Sequence, residues 1–439
     1  MVQTPGKAGI GRLLQCLRHV TVMSHIPSRR GERPLAKPSQ SRRPAAHVSL
    51  SRRLVLCCGL AASLGLMAVP GRAQEQEVIR IGLILPMTGS ESATGEQIDN
   101  AVRLYLEQNG DTIDGKKIEI VLRDDRAVPD ETRQAAKELI ADDKVVLLAG
   151  FGTSPAAAVA APLATEAAIP QVVMGAGTSL ITDRSPFIVR SGGTLAQSAA
   201  TLAHWAARHE LKKVAILIAD YAPGNDALAV FSKHFKAAGG EIAGEWKAPL
   251  SDPDFAPLLE QIKEAAADAL FVFVPQRQSH QFMEQFRASG LKIQVIGTGE
   301  LTDDDALANM GEDMLGVITA HFYSASHPSQ ENRNFVAAYR TAYGDRPGYM
   351  AVAGYDGMHM ICQVLRKTHG RPDGAALLAA MKGMAWESPR GPVEIDPHTR
   401  EVIQNIYLRR VAVERGENRN IEFATVAHVK DPDREGGRR

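Results

Sequence analysis

Residues 78–110 constrain this chain most. Val78–Leu85 is an apolar, β-branched run that suits a buried strand. Pro86, Gly89 and Ser90 then break it. From Gln97 to Gln108 the apolar residues Ile98, Ala101, Val102, Tyr105 and Leu106 recur at helical spacing. Strand, short polar loop and helix form the opening unit of a parallel sheet, whose loops at the strand carboxyl ends are where such sheets bind ligands.

The same theme recurs along the chain. Strands are expected over 117–122, 145–149, 171–174, 214–219, 241–246, 270–274 and 294–297, separated by helices of about ten or more residues. Helices follow near 332–343, 349–367 and 374–381, then short strands within 402–412. The fold class is therefore α/β, with two doubly wound parallel-sheet lobes, since some 366 residues are too many for one core. Ser191–Gly193 marks the first passage between lobes, and His321–Ser324 a second. The expected division is 77–195 plus 323–405 for the first lobe and 196–322 plus 406–425 for the second, with 426–439 as a frayed polar tail.

Upstream, Ser51-Arg52-Arg53 precedes a 16-residue apolar stretch, Leu54–Val69, and small residues at Gly71 and Ala73. That pattern predicts a cleaved export signal over 51–73 and a mature start near Gln74. The paired arginines resemble a twin-arginine signal but are also common in ordinary secretion signals, so the route stays open. Residues 1–50 read as a leader extension. The first 73 residues hold 12 of the 50 basic residues and one of the 50 acidic ones, leaving 38 against 49. A net charge of about −11 offers no basic footprint for nucleic acid. Only Cys362 remains among the four cysteines, so no intramolecular disulfide braces the exported part. No metal or cofactor motif is present: His204 and His209 stand at i and i+5, and Asp303–Asp305 lacks the spacing of a calcium loop and reads as a solvated helix start. Tyr339 and Tyr343, one helical turn apart, are expected to pack.

Two loops carry candidate chemistry. Gly150, Phe151, Gly152, Thr153, Ser154 and Pro155 lie between a buried strand and a helix. Such a helix start offers free N–H groups, a hydroxyl and the positive end of the dipole, all suited to a carboxylate. The plain alternative is that Ser154 caps its own helix. The second loop, Gly175–Ser179, contains Ala176, Gly177 and Thr178, where glycines let a ligand approach the backbone. Leu180 stands where a dinucleotide fingerprint needs its third glycine. Gly152, Ser154 and Ala156 approach the G-x-S-x-G elbow of an α/β-hydrolase, but the closing glycine is replaced and no partnering histidine or acid is singled out.

The ordered set of Pro86–Gly89, Gly95, Arg123–Asp125, Gly150–Ser154, Ala176–Thr178, Asp220, Gly290–Lys292 and Gly354–Asp356 resembles the periplasmic leucine/isoleucine/valine-binding protein family, over most of residues 77–425. These are type I solute-binding subunits of ATP-driven (ABC) importers. The resemblance implies two lobes joined by a three-crossing hinge that close over one carboxylate-bearing solute, an amino acid first and an aromatic or aliphatic acid as the alternative. It also implies a membrane permease as partner, a periplasmic location and no catalysis; a sensory role would use the same trap. It further implies that Ser154 and Thr178 hold the carboxylate and that the backbone of Ala176 helps to hold an ammonium. Glu300 of the second lobe completes the ammonium site. The family's wall tyrosine is replaced by Thr94, and Tyr221 is the candidate aromatic substitute. The family's disulfide has no counterpart, its positions being Ala127 or Val128 and Thr153.

Overall fold

The computed structural model describes residues 77–435, so the expected leader and export signal lie outside the described residues. Two sheets organise the chain. The first contains β1 (Val78–Leu85), β2 (Thr112–Ile113), β3 (Lys116–Asp124), β4 (Leu147–Gly150), β5 (Gln171–Val173) and β6 (Ile188–Arg190), in the order β2-β3-β1-β4-β5-β6. All pairs but β2–β3 are parallel. The chain runs from β1 outward to β3 and then back across to β4. The carboxyl ends of β1 and β4 therefore flank a point where the winding reverses, and a crevice opens there.

The second sheet repeats the plan with β7 (Lys213–Ala219), β8 (Glu241–Ala248), β9 (Ala269–Phe273), β10 (Gln294–Thr298) and β11 (Ile318–His321). Its antiparallel extension is β12 (Ala385–Ser388), β13 (Gly391–Ile395), β14 (Val402–Glu414) and β15 (Glu417–Val429). The order is β12-β13-β14-β11-β10-β9-β7-β8, with β15 on β14. Here the reversal falls between β7 and β9, so the loops after β7, β9 and β10 form the facing rim.

The central strands β1, β7 and β9 are nearly continuous in apolar residues, as burial on both faces demands, whereas the outer strands β3 and β8 alternate polar with apolar. Helix Tyr349–Lys367 and helix Gly374–Met381 pack their apolar faces on the first sheet, with Met358, Ile361 and Leu365 fully buried. Cys362 is among them, and burial pushes its thiol up to about 12. Helix Leu195–Arg208, entered through a Thr194–Gln197 capping box, belongs to the core of the second lobe.

The structure differs from the expected division in two places. Ala385–Ile395 hydrogen-bonds into the second sheet through β14, although Ile395 packs in the first lobe's core. The expected frayed tail is instead built into the fold as far as Arg434. Residues 426–429 continue β15, the Asp431 carboxylate accepts from Ser179 Oγ at 2.6 Å, and Arg434 bonds Asp183 and Thr182. The tail was expected to fray because polar residues follow Val429, and its anchors, Ser179, Asp183 and Thr182, lie 251 or 252 positions away. Among the described residues no helix is long and apolar enough to cross a membrane.

Candidate functional site

The first-lobe rim is assembled from three loops pressed backbone to backbone. Gly150 has φ +101°, and a Cβ there would meet Ile84 O at 2.5 Å. A Cβ on Gly152 would lie 2.8 Å from Pro86 and 3.0 Å from Thr94 Cγ2, which places Thr94 against this loop. Phe151, between them, is fully buried in the core, with its N–H donating to Ile84 O and its carbonyl accepting from Ala176 N–H. Its side chain supports the loop from behind and does not face the cleft.

Ser154 is the first residue of helix Ser154–Ala167, and the capping position is Thr153, whose side chain makes no capping bond. The local capping alternative for Ser154 is therefore not what the structure shows. Instead Ser154 Oγ accepts from Thr178 N–H at 3.2 Å, joining the two candidate loops. Its own proton remains to be donated, beside the positive end of the helix. Gly177 and Thr178 are half-buried in the same loop.

Arg190 lies fully buried beneath this rim. Its guanidinium donates to Ala176 O and, at 2.7 Å, to Thr178 O, while Nε meets Glu401 Oε2 at 2.5 Å. Both main-chain groups of Ala176, expected to help hold an ammonium, thus already have protein partners.

The facing rim has a different chemistry. Tyr221 stands at the start of helix Ala222–Ala237, half-buried, with its ring 6.2 Å from Phe273. Burial and the nearby charges of Glu300 and Glu91 push its hydroxyl upward. Glu300 sits in the turn Gly299–Thr302 that follows β10. Its Oε2 is shielded from solvent and has no hydrogen-bond partner, and burial raises its carboxyl above the ordinary 4.5 against the pull of Thr298 and Arg409. Tyr349, within electrostatic reach of Glu300 and Tyr221, packs edge-on against His321 at 4.8 Å and Phe322 at 5.9 Å.

Arg409 mirrors Arg190 under this second rim. It donates to Tyr323 O, to Gly299 O at 3.2 Å and to the hydroxyls of Thr319 and Thr302. Beside it, Asp303 and Asp304 are buried, which corrects the reading of Asp303–Asp305 as a solvated helix start. They cap and brace the site: Asp303 Oδ1 accepts from Asp304 N–H and Tyr349 N–H, and Asp304 Oδ2 from Ala325 N–H. Among the described residues no group of three or more His, Cys, Asp or Glu is placed to hold a metal.

Besides the Tyr349–Asp303 bond, the rims meet at the following side chains. Gln97 Nε2 donates to Asp305 Oδ2 at 2.7 Å, Arg277 lies 3.5 Å from Glu91, and Asp226 stands beside the Thr178 hydroxyl. Gln97, Glu91, Arg277, Asp226 and Tyr349 were not singled out from sequence, because nothing local to them signals a partner in the other lobe. Tyr339 and Tyr343 pack on each other, with ring centroids 4.9 Å apart, and take no part.

Two α/β lobes whose switch-point loops face one another across a cleft define a solute-binding protein. The chain belongs to the periplasmic binding protein family, whose model matches residues 78–417, in the type I, leucine/isoleucine/valine-binding-like branch. It is 36% identical over 378 residues to the Leu/Ile/Val-binding protein homolog 6 of Brucella abortus (strain 2308), covering 84% of this chain and 97% of that protein. It resembles the solute-binding protein of an ABC transporter from Rhodopseudomonas palustris BisB5, solved in complex with 3,4-dihydroxybenzoic acid. The identity is 57%, the TM-score 0.78, and the match covers 81% of this chain and 99% of that one. A second solute-binding protein, from Rhodopseudomonas palustris HaA2 in complex with p-hydroxybenzoic acid, is 36% identical with TM-score 0.77, over 81% and 99% of the two chains. The chain is accordingly an ABC transporter solute-binding protein.

Proposed function

We propose that this protein captures an aromatic carboxylate of the hydroxybenzoate class between its lobes and presents it to the permease of an ABC importer. The observation that carries this reading is the 57% identical relative, which holds 3,4-dihydroxybenzoic acid. The site residues agree with it. The Ser154 and Thr178 hydroxyls and a helix start supply the anion's partners. Tyr221 on the facing side and Tyr349, at the start of a first-lobe helix, supply flat apolar surface. Burial biases Glu300 toward its neutral form, which lessens its repulsion of an acid that carries no amine. Residues 51–73 would deliver the protein to the periplasm.

A second reading, an α-amino acid as solute, draws on the same Glu300 as counter-charge for an ammonium. The engagement of Ala176 O by Arg190 weighs against it. Thermal-shift titration of the protein with 4-hydroxybenzoate, 3,4-dihydroxybenzoate, benzoate and leucine separates the two. A bound solute stabilises by about 2.7 kcal/mol at 100 times its dissociation constant. Stabilisation by leucine alone would overturn the aromatic reading.

A further inference from the structure

Among the described residues, Glu300 carries one of the buried polar atoms at the second rim that have no hydrogen-bond partner. Its Oε2 is withdrawn from water yet accepts no hydrogen bond, a situation a fold rarely leaves unused. Arg409, the cation whose field reaches it, spends its donors on Tyr323, Gly299, Thr302 and Thr319. Besides Thr298 and Arg409, the side chains that share its surroundings are aromatic: Tyr221 and Tyr349, backed by Phe273, Phe322 and His321. A group in that setting suits a hydrogen-bond donor mounted on a flat apolar body.

We infer that Glu300 accepts the hydrogen bond of a ring hydroxyl, so that the protein selects hydroxylated benzoates over benzoate itself. The inference rests on the aromatic-acid reading above. A benzoate ring is rigid, so a carboxylate held by Ser154 and Thr178 projects the opposite ring position in a fixed direction. One acceptor on the far wall then suffices to sort ligands by that substituent. An O–H in that position satisfies Glu300. A bare C–H leaves a buried acceptor unpaired, and a methoxy group brings a second acceptor against the first.

The test is titration calorimetry of the full protein and of Glu300→Gln and Glu300→Ala with benzoate, 4-hydroxybenzoate and 4-methoxybenzoate. Wild type should bind 4-hydroxybenzoate about tenfold or more tightly than benzoate, the difference expected of a hydrogen bond to a charged or buried carboxyl. It should bind 4-methoxybenzoate no better than benzoate. The ratio of benzoate to 4-hydroxybenzoate dissociation constants should shrink in Glu300→Gln and approach one in Glu300→Ala. A wild-type ratio near one, or an unchanged ratio in both variants, overturns the inference and leaves the aromatic reading standing. Failure of every benzoate to bind wild type removes the reading beneath it. Should neither variant fold, by its circular dichroism melt, the hydroxy-against-methoxy comparison in wild type decides alone.

Discussion

The two rims of the cleft share one construction device and differ in what it leaves exposed to a solute. Under each lies a buried arginine that gathers loop carbonyls: Arg190 beneath Ala176 and Thr178, Arg409 beneath Gly299 and Tyr323. Arg190 is closely paired with a carboxylate, Glu401 at 2.5 Å, whereas the carboxylate nearest to pairing with Arg409, Asp304, stands 3.9 Å away. The first rim then presents hydroxyls and a helix start, while the second presents aromatic rings and an unpaired carboxyl. Rigid loops are common to both lobes; the solute's polarity is read by their difference. An anion at one end and an apolar body at the other is the ligand such a pair of rims would hold.

The comparison breaks most visibly at the arginines. Arg409→Leu leaves Asp304 with Arg346 alone as its cation and removes the hydrogen bonds that brace Tyr323 and Gly299, and should destabilise the protein by about 3–5 kcal/mol in denaturant unfolding. Adding Asp304→Asn in the same chain should recover part of that loss. Equal stability of the single variant and wild type would mean that the second rim does not depend on its buried cation.

Ser154→Ala and Thr178→Ala strip the first rim of its hydroxyls. Each should weaken a carboxylate solute by about 1–3 kcal/mol, or roughly 5- to 150-fold by calorimetry. Because Ser154 is not the capping residue, unfolding should move by less than about 1 kcal/mol. Unchanged affinity in both variants would place the anion elsewhere.

The buried acids of the second rim should make stability depend on pH. Burial raises Asp303 well above its ordinary 3.8, with Asp305 and Asp304 adding to the shift, and it raises Asp305 as well. The folded protein therefore keeps protons that the unfolded chain releases. This contribution is fully present below about 3.8 and is lost as pH rises through the raised values. The size is about 1.4 kcal/mol for each unit of displacement. Melting temperatures taken upward from pH 4 should show that loss, with a shallower slope in Asp303→Asn. A slope identical to wild type would rule Asp303 out as its source.

Gln97→Ala tests the join between rims and should have the smallest effect. It removes the bond to Asp305 across the rims, about 0.5–1.5 kcal/mol of support for their join, together with the acceptor of Gly348 N–H within the first lobe. Solute affinity should fall by up to about tenfold, because a ligand must now supply more of the closing free energy. Small-angle scattering should still show compaction at saturation.

Much of the architecture was legible beforehand, and helices 349–367 and 374–381 were placed to the residue. Their apolar positions repeat every three to four residues and are bounded by glycine, so a local pattern defines them. Other features were misread for physical reasons. Asp303–Asp305 carries three charges in a row and so looks solvated, yet Arg409, Arg346 and backbone N–H groups from distant segments make its burial tolerable. Phe151 lies in the right loop, but the positive φ at Gly150 and at Phe151 itself turns its ring into the core. The β14–β15 hairpin was missed because β15 opens on a polar run, Glu417–Asn420, and carries its apolar residues Phe423, Ala424 and Val426 exposed, so no buried alternating face marks it as a strand.

By itself the sequence determined what short-range pattern can encode: alternating strands and helices, two lobes, rim loops at strand carboxyl ends, and hydroxyls beside a helix start. Only the tertiary structure decided which side chains meet. Arg190 finds Glu401 across 211 positions, Gln97 finds Asp305 across 208, and Glu300 Oε2 is left without a hydrogen bond. Periodicity records how each residue is buried within its own element. The pairing of charges between elements depends on how the lobes pack, and no stretch of local sequence carries that.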